Sequence, residues 1–204
     1  MFDATTYGFG DSTGGTRPGS LGGAMRFGAD LYFDFDGGDS WRLFLLLTRA
    51  EEEGAMLDVQ WIGLDPSWDG GDAPLRGGQR ALAMHAAMHD FAKQRLLRQA
   101  LFTLAHRQGD SFDDDLTLLA AAKVAGLDGE VMLGAVDTTG RAELRRNRQA
   151  AASVGVLGVP SMVRGGPPLL VGTTAALDEG PARSRLEVID GMLEDDGLWH
   201  LSKP

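Results

Sequence analysis

The stretch from Leu31 to Trp61 carries two strand patterns on either side of one apolar helix, and few folds accommodate that order. Apolar residues alternate with Tyr or Asp over 31–36 and with Asp and Gln over 57–61, which is the period of two expected of strands. Between them, Trp41 to Glu53 is predicted to form a leucine-rich helix that ends at Gly54. A helical connection makes the two strands parallel, so the sequence predicts a βαβ unit within an α/β fold.

The first strand pattern runs into a predicted strand-to-helix turn with the sequence Asp34-Phe35-Asp36-Gly37-Gly38-Asp39-Ser40-Trp41. Ser40, or Asp39 before it, is the expected N-cap of the helix. The free N–H groups at the start of a helix favour a bound anion or an activated nucleophile. This turn is therefore the first candidate site.

A second candidate site is the loop Gly155-Val156-Leu157-Gly158-Val159-Pro160-Ser161-Met162-Val163. Proline cannot donate a hydrogen bond to a sheet, so Pro160 is expected to begin a strand. The runs 160–163 and 169–171 flank a stretch rich in glycine and proline, and together they predict an antiparallel hairpin.

The remaining segments are mainly helical in pattern. Residues 64–78 are predicted to be irregular, and Gln79 to Val136 reads as a series of helices. This series is too long for a crossover, so it is interpreted as a helical subdomain inserted into the sheet domain. A helix over 141–153 follows, with Arg145, Arg146 and Arg148 interpreted as a solvated face. A closing helix is predicted to start near Pro181.

Composition limits the classes of function. Residues 1–28 are rich in Gly, Ser and Thr and are predicted to form a flexible N-terminal arm, which leaves 29–204 as the folded domain. The net charge of -10 and the pI near 4.7 argue against binding to nucleic acid or to an anionic membrane. No signal pattern and no apolar run of about 18 residues is found, so the expected location is the cytoplasm.

The order of these elements resembles the DsbA-like branch of the thioredoxin superfamily. This branch includes DsbA-type oxidoreductases, 2-hydroxychromene-2-carboxylate isomerases and kappa-class glutathione transferases. The resemblance is carried by Gly158-Val159-Pro160-Ser161, which stands where the family has its cis-proline loop, and by the Asp-Phe-x-x-x-x-Ser-Trp frame of the turn. It implies a thioredoxin-like mixed sheet flanked by helices and a cis Val159–Pro160 bond.

The turn departs from the family pattern. Family oxidoreductases have Cys-Pro-x-Cys there, whereas this chain has Gly37-Gly38-Asp39-Ser40 and contains no cysteine, which excludes disulfide chemistry by its own thiols. The isomerases and kappa-class transferases use a serine-type turn that resembles Ser-Pro-Tyr-Ser-Trp. Of that turn only Ser40 and Trp41 remain, and Gly37 stands at the position of the catalytic serine.

The resemblance implies a role for each residue of the two candidate sites. Ser40 is the candidate catalytic residue, and the substrate-binding candidates are Gly37, Gly38, Asp39, Trp41, Val159, Pro160 and Ser161. The backbone of Val159 could pair with an extended peptide or with the cysteinyl part of glutathione. Against thiol activation, Asp39 adds a negative charge in the first turn of the helix and opposes a second one by about 1 kcal/mol.

The sequence also contains residues suited to acid–base catalysis and to metal binding. Asp34, Asp36 and Asp39 could include a carboxylate pair with one raised pKa, suited to acid–base catalysis. His85 and His89 are four residues apart and would share a helix face, as metal ligands do, but the simpler interpretation is a half-exposed helix face, and no metal is expected.

The sequence thus leads to the hypothesis of a cysteine-free DsbA-like protein that binds a peptide or small thiol compound without redox turnover. The alternative is an isomerase or transferase that depends on glutathione or another low-molecular-weight thiol, with Ser40 polarising the bound thiol. A third hypothesis is a vestigial site, with the helical insertion mediating partner contacts or homodimer formation.

Overall fold

The computed structural model describes residues 25–172 and 180–194, which form a mixed four-stranded sheet with helices packed around it. The strands are β1 (Arg26–Phe33), β2 (Met56–Gly63), β3 (Ser161–Val163) and β4 (Leu169–Leu170). The helices are α1 (Gly38–Glu52), α2 (Gly78–Ala86), α3 (Phe91–Thr103), α4 (Asp115–Val124), α5 (Gly129–Ala135), α6 (Arg141–Ser153) and α7 (Ala182–Glu194). The predicted α/β class is confirmed.

The strand order β2-β1-β3-β4 places β1 in the interior of the sheet. β1 is parallel to β2, as the βαβ prediction requires, and antiparallel to β3, which forms the predicted hairpin with β4. Leu31, Tyr32 and Phe33 are all buried, so β1 is covered on both faces although its sequence alternates. The strand also starts earlier than predicted, at Arg26, inside the segment assigned to the arm; residues 1–24 lie outside the described part of the chain.

The chain between β2 and β3 is helical from Gly78 to Ser153, apart from short connections. The sequence pattern runs through residues 87–90 without a break, but the structure ends α2 at Ala86 and begins α3 at Phe91, where the Asp90 side chain accepts a hydrogen bond from the Lys93 N–H. Two π-helical segments, Leu104–Gln108 and Val136–Gly140, extend α3 and precede α6. That these helices form a separate subdomain stays a prediction.

The arginines of α6 hold the irregular segment 64–77 in place, so their interpretation as a solvated face is wrong for two of the three. Arg145 donates from Nε to the Gly70 carbonyl at 2.8 Å, and Arg148 donates to the Pro66 carbonyl at 3.4 Å. Arg141 on the same helix donates to the Ala73 carbonyl at 2.8 Å. Only Arg146 stays exposed. Backbone carbonyls of a loop make natural acceptors for these forked donors.

The main core lies between one face of the sheet, α1 and the helices that follow β2, and a smaller cluster that includes Tyr32, Ala151 and Val163 lies on the other face. The largest side chains of the main core include Phe33, Phe35 and Phe102, all of which are fully buried. These rings contact one another edge-on or tilted, at centroid distances between 4.8 and 5.8 Å. None of the helices within the described ranges has the length and hydrophobicity needed to cross a membrane.

Candidate functional site

The turn between β1 and α1 is closed by a carboxylate from within the turn. Ser40 Oγ donates to Asp34 Oδ1 at 2.5 Å, and the Asp34 N–H lies 3.3 Å from Ser40 Oγ. The prediction that Ser40 or Asp39 caps the helix is wrong. α1 begins at Gly38, three residues before the predicted Trp41, with Gly37 as its N-cap and without a side-chain cap bond. Ser40 instead sits inside the first turn, 1% exposed.

Gly37 and Asp34 are so close that only glycine fits at position 37. A Cβ atom built on Gly37 would lie 2.5 Å from Asp34 Oδ1 and 2.8 Å from Oδ2, far inside van der Waals contact. This is the position at which the related isomerases and transferases are expected to carry their serine. Any side chain there would require the Asp34 carboxylate to move. Gly38, by contrast, has open space where a Cβ would stand.

The Asp34 carboxyl is half-buried, and its burial raises its pKa above the usual value of 3.8. The nearby Asp36 carboxylate raises this pKa further, while the hydrogen bond from Ser40 acts in the opposite direction. Asp36 itself accepts a hydrogen bond from the Gly78 N–H at 2.9 Å, at the start of α2. The two carboxylates thus bind to the starts of different helices. Both lie beyond Phe33, where β1 ends, although the strand pattern continues to residue 36.

Trp41 forms a stack with a histidine that sequence reasoning did not single out. The rings of Trp41 and His106 are nearly parallel, at an angle of 5° and a centroid distance of 5.3 Å. His106 Nε2 lies 2.8 Å from the Phe35 carbonyl oxygen, so this nitrogen carries the proton and donates it. His106 lies in the π-helical segment Leu104–Gln108, a type of distortion often found near functional sites but without a clear sequence signature.

The second candidate loop lies beside the same end of β1. Tyr32 pairs with Ser161, and continuing this antiparallel register by one residue brings Pro160 opposite Phe33. The Val159–Pro160 peptide bond is cis. The structure therefore brings the turn that follows Phe33 and the loop that precedes Ser161 to one edge of the molecule.

The residues of this loop differ in what they leave available to a ligand. Ser161 is buried and its hydroxyl donates to the Gly158 carbonyl at 2.7 Å, and the Pro160 carbonyl accepts from the Val171 N–H at 2.9 Å. Within the described part of the chain, the backbone N–H and C=O of the half-buried Val159 make no hydrogen bond. Leu157, two residues earlier, is 93% exposed.

His85 and His89 are not brought together on one helix, since α2 ends at Ala86. His85 is buried against Phe33 and Phe35, whereas His89 is exposed. Burial and then the nearby Arg98 cation hold the pKa of His85 well below its usual range. Residues 25–172 and 180–194 contain no group of three His, Asp or Glu side chains arranged to hold a metal ion.

Structures with the same arrangement of elements are known. A 2-hydroxychromene-2-carboxylate isomerase is 15% identical, with a TM-score of 0.64 over 82% of this chain and 95% of that one. A thioredoxin-like oxidoreductase from Silicibacter pomeroyi DSS-3 is 15% identical, with a TM-score of 0.59 over 82% and 87% of the two chains. The cytosolic disulfide reductase DsbM from Pseudomonas aeruginosa, solved with GSH, is 18% identical, with a TM-score of 0.55 over 80% and 98%.

At these identities the similarity establishes the fold, which is thioredoxin-like as the resemblance implied. No curated protein matches the sequence significantly. The family profile of the DSBA-like thioredoxin domain matches residues 60–177, which is more than half of the chain but begins after the Gly37–Ser40 turn. On this match, the chain belongs to the DSBA-like thioredoxin domain family, and it does so without a cysteine.

Proposed function

We propose that this protein binds an extended peptide or a small thiol compound at the Val159–Pro160 loop and does not carry out redox or thiol-transfer turnover. The ligand would lie between that loop and the Gly37–Trp41 turn, where related proteins hold their substrates. Without cysteine in the sequence, the site cannot exchange disulfides through thiols of its own, whereas ligand binding needs no cysteine.

One observation carries the proposal: the Asp34 carboxylate occupies the space that a side chain at position 37 would need. The partial positive charge at the start of α1, which would stabilise a thiolate, instead faces a carboxylate. A second anion would be repelled by Asp34 when it is ionised and by Asp39 in the first turn. This electrostatic arrangement disfavours activation of a bound thiol.

The backbone of Val159 supports binding of an extended segment. Its N–H and C=O are without intramolecular partners in the described residues, and such groups can pair with a peptide in the manner of an added strand. Exposed Leu157 belongs to this loop, and exposed Leu170 lies beside it, since a Cβ atom on Gly158 would be 3.4 Å from Leu170 Cδ1. These leucines would contact apolar side chains of the peptide.

The glutathione-dependent enzyme is the competing function. It requires Ser40 to polarise a thiol, but Ser40 is buried and its hydroxyl proton is directed to Asp34. A ligand could reach Ser40 only after this hydrogen bond is broken.

Calorimetric titration with reduced glutathione tests the choice between the two functions. We expect the Ser40→Ala variant to bind glutathione with the same affinity as the wild type. The control variant, Ser153→Ala at the exposed end of α6, should also leave this affinity unchanged. Saturable binding that Ser40→Ala alone weakens, together with isomerase or transferase activity, would replace the proposal by the enzyme.

An array of short peptides with alternating apolar and polar residues tests backbone pairing at Val159. For the tightest peptide, each amide is replaced in turn by an ester, which removes one N–H donor without changing the side chains. We expect one or two esters to weaken binding about fivefold or more, as the loss of a hydrogen bond predicts. Binding of neither glutathione nor any peptide would overturn the proposal and favour a vestigial site.

A further inference from the structure

A second pocket lies between α1, β2 and α3, away from the turn and the proline loop. It has a volume of about 100 Å³ and a mixed lining. Apolar side chains that include Phe44, Leu57, Val59 and Trp61 are joined by the polar or charged Thr48, Glu51, Arg95, Arg98 and Gln99. None of residues 34–41 or 155–163 lines it. Its lining residues are therefore distinct from those of the site proposed above.

One wall of this pocket carries a cation that has no anionic partner. Arg98 is 6% exposed, and its Nε is buried without an acceptor. Within the described residues the guanidinium makes no ion pair; it lies over the ring of Trp61, with Cζ 4.2 Å from the ring centroid. A guanidinium has five donors and no acceptor, so its N–H groups are left to bind something else.

The surrounding charges do not satisfy Arg98. Burial lowers the pKa of Arg98 to about 9, with Arg95 adding to the shift and Glu51 opposing it. Glu51 is engaged at the pocket mouth by Arg95, which donates to both carboxylate oxygens at 3.0 and 2.7 Å. His85, behind Arg98, is fully buried, and its pKa is lowered in part by this cation. Arg98 is thus an unpaired positive charge beside the apolar side chains of this pocket.

We infer that this pocket is a binding site for a small monocarboxylate with an apolar body of about one aromatic ring. The carboxylate would accept two parallel hydrogen bonds from Arg98, the geometry in which carboxylates and guanidinium groups pair best. The body of the ligand would pack against Leu57 and Val59 of β2 and against Phe44. The volume of about 100 Å³ is smaller than the roughly 150 Å³ of a cavity that encloses a benzene ring, so the far edge of an aromatic ring would protrude from this open pocket.

One unpaired cation favours a monocarboxylate. A phosphate group carries up to two charges and three acceptor oxygens, whereas the second cation that lines this pocket, Arg95, is already bound to Glu51. A neutral ring of the same size would fill the apolar volume but leave Arg98 unpaired, at a cost for a buried charge.

Thermal unfolding of the full chain with benzoate, and with benzamide as its neutral counterpart, tests the site. We expect a saturable rise in Tm with benzoate, and a much smaller one with benzamide. Arg98→Met should weaken benzoate binding by about tenfold to a hundredfold, the loss expected for a charged hydrogen bond. The matched control is Arg107→Met, since exposed Arg107 also lies over a tryptophan ring, that of Trp41, but outside the pocket.

Two measurements keep the test decisive if Arg98→Met folds poorly. Arg98→Lys retains the charge without the planar fork and should weaken binding to an intermediate degree. In the wild type, NMR should show contacts between the benzoate ring protons and the methyl groups of Leu57 and Val59. The inference is overturned if neither benzoate nor straight-chain carboxylates up to hexanoate bind saturably, if benzamide binds equally well, or if the Arg98 variants bind benzoate like the wild type.

Discussion

The Ser40 hydroxyl donates a 2.5 Å hydrogen bond to Asp34, a residue six positions earlier on the other side of the turn. This bond joins the end of β1 to the first turn of α1 and lies within the candidate Gly37–Trp41 turn. The same two residues explain why Gly37 is glycine, why Ser40 is buried and why the helix has no conventional side-chain cap. The site is thus organised around a carboxylate and not around a nucleophile.

Replacement of Ser40 by Ala should destabilise the protein by about 2 kcal/mol, because a hydrogen bond to a carboxylate is lost while the carboxylate stays partly buried. Urea unfolding followed by circular dichroism measures this free energy. Ser153→Ala, at the exposed end of α6, is the control and should stay within about 0.5 kcal/mol of the wild type. An unchanged midpoint for Ser40→Ala would mean that the Asp34–Ser40 bond does not stabilise the turn.

Gly37→Ala should destabilise the protein by about 1–3 kcal/mol, since the added methyl group would overlap Asp34 Oδ1. Gly38→Ala is the matched control: the next residue has open space for a Cβ, and it should be neutral or stabilising by up to about 1 kcal/mol. Denaturant titrations of both variants give the comparison.

A double-mutant cycle with Asp34→Ala identifies the cause of the Gly37→Ala effect. If the clash with the carboxylate is responsible, Gly37→Ala should cost clearly less in the Asp34→Ala background than in the wild type. Equal costs in the two backgrounds would assign the effect to the helix backbone and remove the argument that Asp34 excludes a side chain from position 37.

The raised pKa of Asp34 predicts a pH dependence of stability. Below the usual value of 3.8 the carboxyl is protonated in both the folded and the unfolded chain. As the pH rises from 3.8 through the raised folded-state pKa, the unfolded chain releases its proton first, so the folded state loses stability. Above both pKa values Asp34 is ionised in the folded and the unfolded chain, so the loss of stability no longer changes with pH.

The free energy of unfolding of the wild type minus that of Asp34→Asn should therefore fall as the pH is raised from about 3 to 7. The contributions of the other titrating groups to the pH dependence cancel in this difference. Asp58→Asn, at an exposed position of β2, controls for the loss of one negative charge. The raised pKa of Asp34 would be contradicted if the free-energy difference for Asp34→Asn rose with pH. It would also be contradicted if this difference had the same pH dependence as the difference for Asp58→Asn.

Local patterns predicted most of the fold. The parallel β1–β2 pair, α6 over 141–153 and the hairpin of β3 and β4 all follow from periodicity and from Gly and Pro signals close to them in the sequence. The break between α2 and α3 is not predicted by the pattern, because residues 84, 88, 91 and 97 keep an apolar spacing through it. The Asp90 N-cap was the available signal.

The site was less predictable because its decisive contacts are not local. Ser40 is a good capping residue by type, and its proximity to Asp34 arises only once β1 ends at Phe33 and the turn folds back. Likewise, Arg98 lies in an ordinary helical pattern, and its lack of a partner becomes visible only when α3 packs against Trp61 of β2. Long-range packing of this kind leaves no periodic trace in the sequence.

His106 should stabilise the turn through its hydrogen bond to the Phe35 carbonyl and not only through its stack on Trp41. His106→Phe keeps an aromatic ring over Trp41 but removes the N–H donor, so we expect a loss of about 1–2 kcal/mol in the free energy of unfolding. Urea titration measures it, with His89→Phe at an exposed position as the control. A His106→Phe variant as stable as the wild type would show that stacking alone fixes Trp41, and that the Phe35 carbonyl finds another donor, such as water.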